Sequence, residues 1–221
     1  MSVTPESVQQ LLDSENYGDR LRGVNQLRLL DPAVAFTKIQ ALAIDSNVRV
    51  RYAAISQLST VGEVNREESL NILRDRLEND PEIDVKAAAA DGIGALRLTE
   101  GYPDLEQAYG NTEEWLLQMS IVATLGELGD PRALTLLKVA LNSPTDLVRS
   151  AAVSSVGELG DPEAVEWLFP LVDDPDWQVR HRVAQALHGL GGEGEGVESA
   201  LNRLAQDPVD QVAIAAKNTY S

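Results

Sequence analysis

Both histidines of the chain fall on one helical stripe with a tryptophan. Trp177, His181, Gln185 and His188 recur at i, i+4, i+8 and i+11. Imidazoles can move protons or bind metals, and an indole can stack on a flat ligand. No Ser-His-Asp arrangement, metal-ligand cluster or phosphate-cradling loop can be read from the spacing. The 221 residues include no cysteine, which excludes disulfides, thiolate metal sites and a cysteine nucleophile. Equivalent positions earlier in the chain hold Tyr52, Asp91, Trp115 and Met119, interleaved with alanine, serine and glycine. Small residues make room and aromatics supply flat apolar surface, so a planar or curved conjugated ligand suits such a stripe. Each residue also has a plainer reading. A tryptophan that opens a helix packs on the preceding turn, the histidines and Asp91 are solvated helix residues, and Tyr52 and Met119 dock a protein helix.

The elements that must position this stripe form a repeat. "GELGDPRAL" from Gly126 returns as "GELGDPEAV" from Gly157. Anchored on the Arg of a Val-Arg pair, the same slot holds Arg20, Arg51, Lys86, Gln118, Arg149, Arg180 and Ala213. The gaps between them are 31, 35, 32, 31, 31 and 33 residues. Each period carries two amphipathic runs: Leu134, Leu137 and Leu141 in one, Val148, Ala152, Val156 and Leu159 in the next. No segment alternates with the strand period. The spacing predicts seven helix pairs, each a helix A and a helix B: 4–14/16–30, 31–45/46–61, 66–80/81–98, 100–110/111–128, 131–142/144–159, 162–173/175–190 and 195–207/208–220. One such pair cannot bury its apolar face, so the pairs stack on each other. The expected fold is all-α, an open α-solenoid forming one repeat domain over 1–221, most flexible at "GGEGEG", Gly191–Gly196.

The "LGDP" stretches read as joints. Gly129 and Gly160 stand where a left-handed residue ends helix B, Asp130 and Asp161 cap the next helix A, and Pro131 and Pro162 occupy its first position. Asp80-Pro81, Asp174-Pro175 and Asp207-Pro208 are expected to open helix B in the same way. Gly94, Gly126, Gly157 and Gly189 lie inside helices B, where glycine is unfavourable by about 1 kcal/mol and close helix approach is its expected return. The Val-Arg arginines are expected to bond acids of neighbouring repeats as a structural ladder.

Thirty-five acidic residues against 18 basic ones give a net charge of −17, which repels phosphate backbones and argues against nucleic-acid binding. The N-terminal "MSVTPESVQQLL" lacks the basic patch and apolar run of a signal peptide, and no apolar run approaches the ~18 residues of a membrane span. The expectation is a soluble cytoplasmic protein without membrane insertion.

"LVRSAAVSSVGELGDPEA" matches the pattern VRxxAAxxLGxLGDPxA of the short HEAT-like repeats named after phycobilisome lyases, and weaker copies extend it over essentially the whole chain. With its acidity and its N-terminal "MSVTPESVQQLL…YGDRLRGVNQLRLLDP", the chain resembles the phycobilisome bilin lyase (CpcE/CpcF) and NblB family, the NblB-like branch most of all. That resemblance implies a protein of the cyanobacterial cytosol or plastid stroma that handles open-chain tetrapyrroles and phycobiliprotein subunits, attaching or detaching the chromophore. It implies no tightly bound cofactor, with a bilin such as phycocyanobilin as ligand. Partners would be phycobiliprotein subunits or another HEAT-repeat subunit, with a homodimer open. The helices B would line the concave face, putting Tyr52, Asp91, Trp115, Met119, Trp177, His181, Gln185 and His188 in the groove. Asp91 would accept from pyrrole N–H groups, and His181 and Arg182 would meet propionates or donate a proton. Whether the chain is catalytic stays open, and a non-enzymatic scaffold docking a protein in the same groove is the alternative. Deoxyhypusine hydroxylase, which uses similar repeats, holds iron with His-Glu pairs that this chain lacks.

Overall fold

The computed structural model describes residues 3–191 and 194–217. Gly192 and Glu193, in the middle of the glycine-rich stretch, lie outside the described residues, as do the last four. The described residues form the helices α1 (Pro5–Leu12), α2 (Tyr17–Leu27), α3 (Pro32–Leu42), α4 (Val48–Val61), α5 (Arg66–Asn79), α6 (Ile83–Ala95), α7 (Tyr102–Gly110), α8 (Trp115–Leu128), α9 (Ala133–Ala140), α10 (Asp146–Leu159), α11 (Val165–Leu168), α12 (Trp177–Gly189), α13 (Glu195–Leu204) and α14 (Asp210–Lys217). No strand occurs among the described residues. The seven expected pairs are present as α1/α2 through α13/α14.

The chain divides into two compact units, Met1–Ser120 and Ile121–Ser221. In the first, α1 packs on α2, α3 on α4 and α5 on α6, while the B helices stack as α2 on α4 and α4 on α6. Val24, Leu27, Ile39, Ile55, Leu58, Leu73, Ile93 and Leu105 are fully buried there. Each such side chain contributes about 1.5–3 kcal/mol by leaving water. In the second unit α10 stacks on α12 and α12 on α14, around Val153, Val156, Leu168 and Val183.

The joints follow the expected chemistry at both glycines and at one of the two aspartates. Gly129 and Gly160 adopt φ of +68° and +73°, a conformation that costs other residues about 1–2 kcal/mol. Asp161 caps the 3₁₀ turn that opens the sixth unit, accepting the Glu163 N–H at 2.9 Å with Pro162 next. Asp130 accepts the Arg132 N–H at 2.9 Å without capping α9, which starts at Ala133 behind Arg132 with no side-chain cap. Pro170 breaks the sixth helix A. It cannot donate to the helix ladder, and 162–173 becomes α11 flanked by the 3₁₀ turns Pro162–Ala164 and Phe169–Asp173. Of the inner glycines, a Cβ on Gly126 would sit 2.9 Å from the Ser155 Cα, and one on Gly157 3.2 Å from the Ala186 Cβ. Gly189 has open space instead, so close packing does not explain it.

The ladder is built from Asp45 and from Asp80, Asp174 and Asp207, the three aspartates expected to open helix B. Arg20 reaches Asp45 (2.7 and 2.8 Å) and Arg51 reaches Asp80 (2.8 and 3.0 Å), each through Nε and Nη2. Arg149 reaches Asp174 (2.7 and 2.9 Å) and Arg180 reaches Asp207 (2.6 and 3.0 Å) in the same way. In each case Nη1 also donates to a carbonyl of its own unit's turn six residues back. Asp80, Asp174 and Asp207 therefore do not cap helix B. They accept the N–H two residues on, and the helices start later, with Asp176 capping α12 and Glu82 preceding α6 without a side-chain cap.

Candidate functional site

The main concavity of the first unit is a groove of about 730 Å³ across α2, α4, α6 and the start of α8. Its walls are Leu21, Val48 and Leu116, its floor Ala53, Ala87 and Ala88, and its polar groups Arg49, Tyr52, Asp84, Asp91 and Ser120. Local sequence dictates this. Arg51 is turned toward Asp80, and Val50, Ala54 and Ile55 are buried in the core. The 100° helical step then leaves Arg49, Tyr52 and Ala53 on the free side. On α6 the run Ala87–Ala90 is buried throughout, which keeps the groove floor low, while Asp84 and Asp91 remain exposed.

The structure brings together Tyr52 and Asp91, which share this groove. It does not bring Trp115 and Met119 to it. At α8 the groove takes Leu116 and Ser120, one position further along the helix. Trp115 is exposed at the helix start and Met119 is half-buried. The lining positions follow i, i+3, i+4 and i+7, seen in Asp84, Ala87, Ala88 and Asp91, whereas the sequence stripe ran in fours and lay to one side. That stripe missed Leu21, Arg49, Ala53, Asp84 and Ala88 as well as Leu116 and Ser120. The i+3/i+4 alternation was the signal that would have found them.

The remaining stripe residues lie in the second unit. Trp177 and His181 meet edge-on, with ring centroids 6.5 Å apart. Burial, and secondarily the charge of Arg182, push the His181 imidazole below its ordinary range. Gln185 accepts from Arg182 Nη1 at 3.1 Å and lines a smaller cavity of about 220 Å³ with Ser154, Glu158 and Arg182. Burial, with Glu127 adding to it, raises the Glu158 carboxyl above its usual range. His188 Nε2 lies 3.0 Å from the Ala216 carbonyl of α14, which ties it to the next repeat and gives it a structural role.

Among the described residues no group of three His, Asp or Glu side chains could hold a metal ion. No described helix is long and apolar enough to cross a membrane.

A profile of HEAT repeats matches residues 4–90, 70–156 and 135–219. No curated protein matches the sequence. Among solved structures, the complex of CpcE and CpcF of phycocyanin lyase from Nostoc sp. is similar in fold. The match has TM-score 0.65 and 21% identity, and covers 97% of this chain and 93% of that one. YibA of Escherichia coli is also similar, with TM-score 0.69 and 17% identity over 96% of this chain and 80% of that one.

Proposed function

The chain belongs to the HEAT-repeat family, and on that premise we propose that it binds a bilin chromophore non-covalently beside a phycobiliprotein subunit. Its role would lie in chromophore attachment or detachment, or in phycobilisome turnover. The observation that carries this reading is the first-unit groove. At about 730 Å³ it falls within the ~300–1,000 Å³ of small-molecule sites, apolar in its walls and floor with a few placed polar groups. Tyr52 would stack on the pyrrole rings, Asp91 would accept from their N–H groups, and the Arg49 guanidinium would take a propionate. The fold likeness to a phycocyanin lyase supports the same reading. Any thioether chemistry would use a cysteine of the phycobiliprotein, since this chain has none. We place the chain nearest the NblB-like branch, in a cyanobacterial cytosol or plastid stroma, with another HEAT-repeat subunit as a further partner.

A second reading, a scaffold that docks a protein segment, is favoured by the low alanine floor, which admits a helix as readily as a pigment. Phycocyanobilin titration, with and without a phycobiliprotein subunit, separates the two. The bilin reading expects an absorbance shift and induced circular dichroism. It also expects Tyr52→Ala and Asp91→Ala each to weaken binding about tenfold, ~1.4 kcal/mol, at unchanged melting temperature. Absence of any spectral change, with the phycobiliprotein subunit still bound, would establish the scaffold.

A further inference from the structure

The ladder has two gaps, at Lys86 and at Gln118, and a cavity lies at the first. The slot that holds arginine in Arg20, Arg51, Arg149 and Arg180 holds Lys86 on α6. The position that supplies Asp45, Asp80, Asp174 and Asp207 is Thr112 in the unit after Lys86. Both halves of the ion pair are therefore replaced together. Lys86 Nζ donates to the Glu78 carbonyl at 2.8 Å, and no carboxylate among the described residues lies within ion-pair distance of it. Lys86 and Thr112 line one cavity of about 200 Å³, together with Asn111, Gln107 and the acidic Glu78. Arg74, on the same wall, is already paired with Asp104 at 2.6 Å.

We infer that this cavity binds a small organic carboxylate, which takes the place of the missing aspartate. Lys86 supplies the charge. The Thr112 hydroxyl accepts the Glu114 N–H at 3.1 Å, so its own proton is free to point into the cavity. The Asn111 and Gln107 amides supply further donors. Asp104 neutralises Arg74 and the exposed Glu78 lies on the same lining, so Lys86 can match a monoanionic head but not a dianion such as phosphate. The site shares no lining residue with the groove on α2, α4 and α6, so it stands or falls independently of the bilin reading.

The test is thermal unfolding of the full chain with acetate or succinate, against chloride and phosphate at matched ionic strength. Both carboxylates are expected to raise the melting temperature by about 2–4 °C where chloride and phosphate do not. Lys86→Met should abolish that response. Thr112→Asp, which builds the carboxylate in, should raise the melting temperature without ligand and also abolish the response. An equal rise with chloride or phosphate would overturn the proposal, as would a carboxylate response that survives in Lys86→Met or Thr112→Asp.

Discussion

The turn at Asp80 and the turn at Thr112 occupy the same place in successive repeats and differ in one respect. Both side chains accept the backbone N–H two residues on, at 3.1 Å in each case. Ser14, Asp45, Ser143, Asp174 and Asp207 do the same at distances from 2.8 to 3.2 Å. Only the aspartates also receive an arginine from the unit before. An oxygen is enough to shape the entry to helix B, and a charge is needed to join one repeat to the next. The chain keeps the first task in every unit and gives up the second where the arginine slot holds Lys86, facing Thr112, and again where it holds Gln118, facing Ser143.

The comparison is most directly broken at Arg51. The Asp80 side chain is fully buried, so Arg51→Ala leaves its carboxylate with only the longer Arg76 ion pair at 3.3 Å and should cost about 2–4 kcal/mol, read from urea denaturation. Asp80→Ala, which removes the buried charge as well, should cost less. A loss below about 1 kcal/mol in Arg51→Ala would mean that the ladder is ornamental. Gly126→Ala probes apolar closeness rather than charge. Its Cβ meets Ser155 backbone, and a loss of about 1–3 kcal/mol is expected. Installing the absent pair as Lys86→Arg with Thr112→Asp should stabilise by about 0.5–2 kcal/mol, with a double-mutant cycle showing coupling between the two. Asp161→Ala, which removes a cap and no ion pair, should cost about 1 kcal/mol.

The ladder also fixes a pH dependence. Burial pushes the Asp45 and Asp80 carboxyls up, but bonds from Arg20 or Arg51 and from a backbone N–H outweigh it and hold both below the usual carboxylate range. At Asp207 the bonds from Arg180 lead, against burial. A carboxyl depressed in the folded state binds fewer protons there than in the unfolded chain. The stability it lends is therefore complete above pH ~4 and is lost as pH falls through the folded values. Urea midpoints measured from pH 6 downward should fall in that acid range, and Asp80→Asn should flatten the fall.

The helix pairs and the left-handed glycines were legible because they depend on neighbours within a few residues. The ladder was legible by half. The arginine slot was plain, but its partners looked like caps, since the same aspartate oxygens serve a local N–H and a guanidinium 25 to 29 residues away. Pro170 inside 162–173 is a helix breaker that the apolar pattern of that run does not show. The site was blurred by rotation. A stripe counted in fours reached Tyr52 and Asp91 but chose Trp115 and Met119 over Leu116 and Ser120, because only packed neighbours decide which of two adjacent positions faces a groove. The His188 contact to Ala216 is set by the stacking of α12 on α14, which no local pattern encodes.

Because each aspartate serves two units at once, the repeats are interchangeable parts with a matched fitting at either end. Excising one period between Arg149 and Arg180 would present Arg149 with Asp207, a fitting of the kind it already uses. Excising the period between Arg51 and Lys86 would present Arg51 with Thr112, a socket without the charge. The lengths at which this chain can be shortened or extended are thus written in its pairing of arginine and aspartate, and the two units whose slot holds Lys86 or Gln118 are the parts that do not exchange freely with the others.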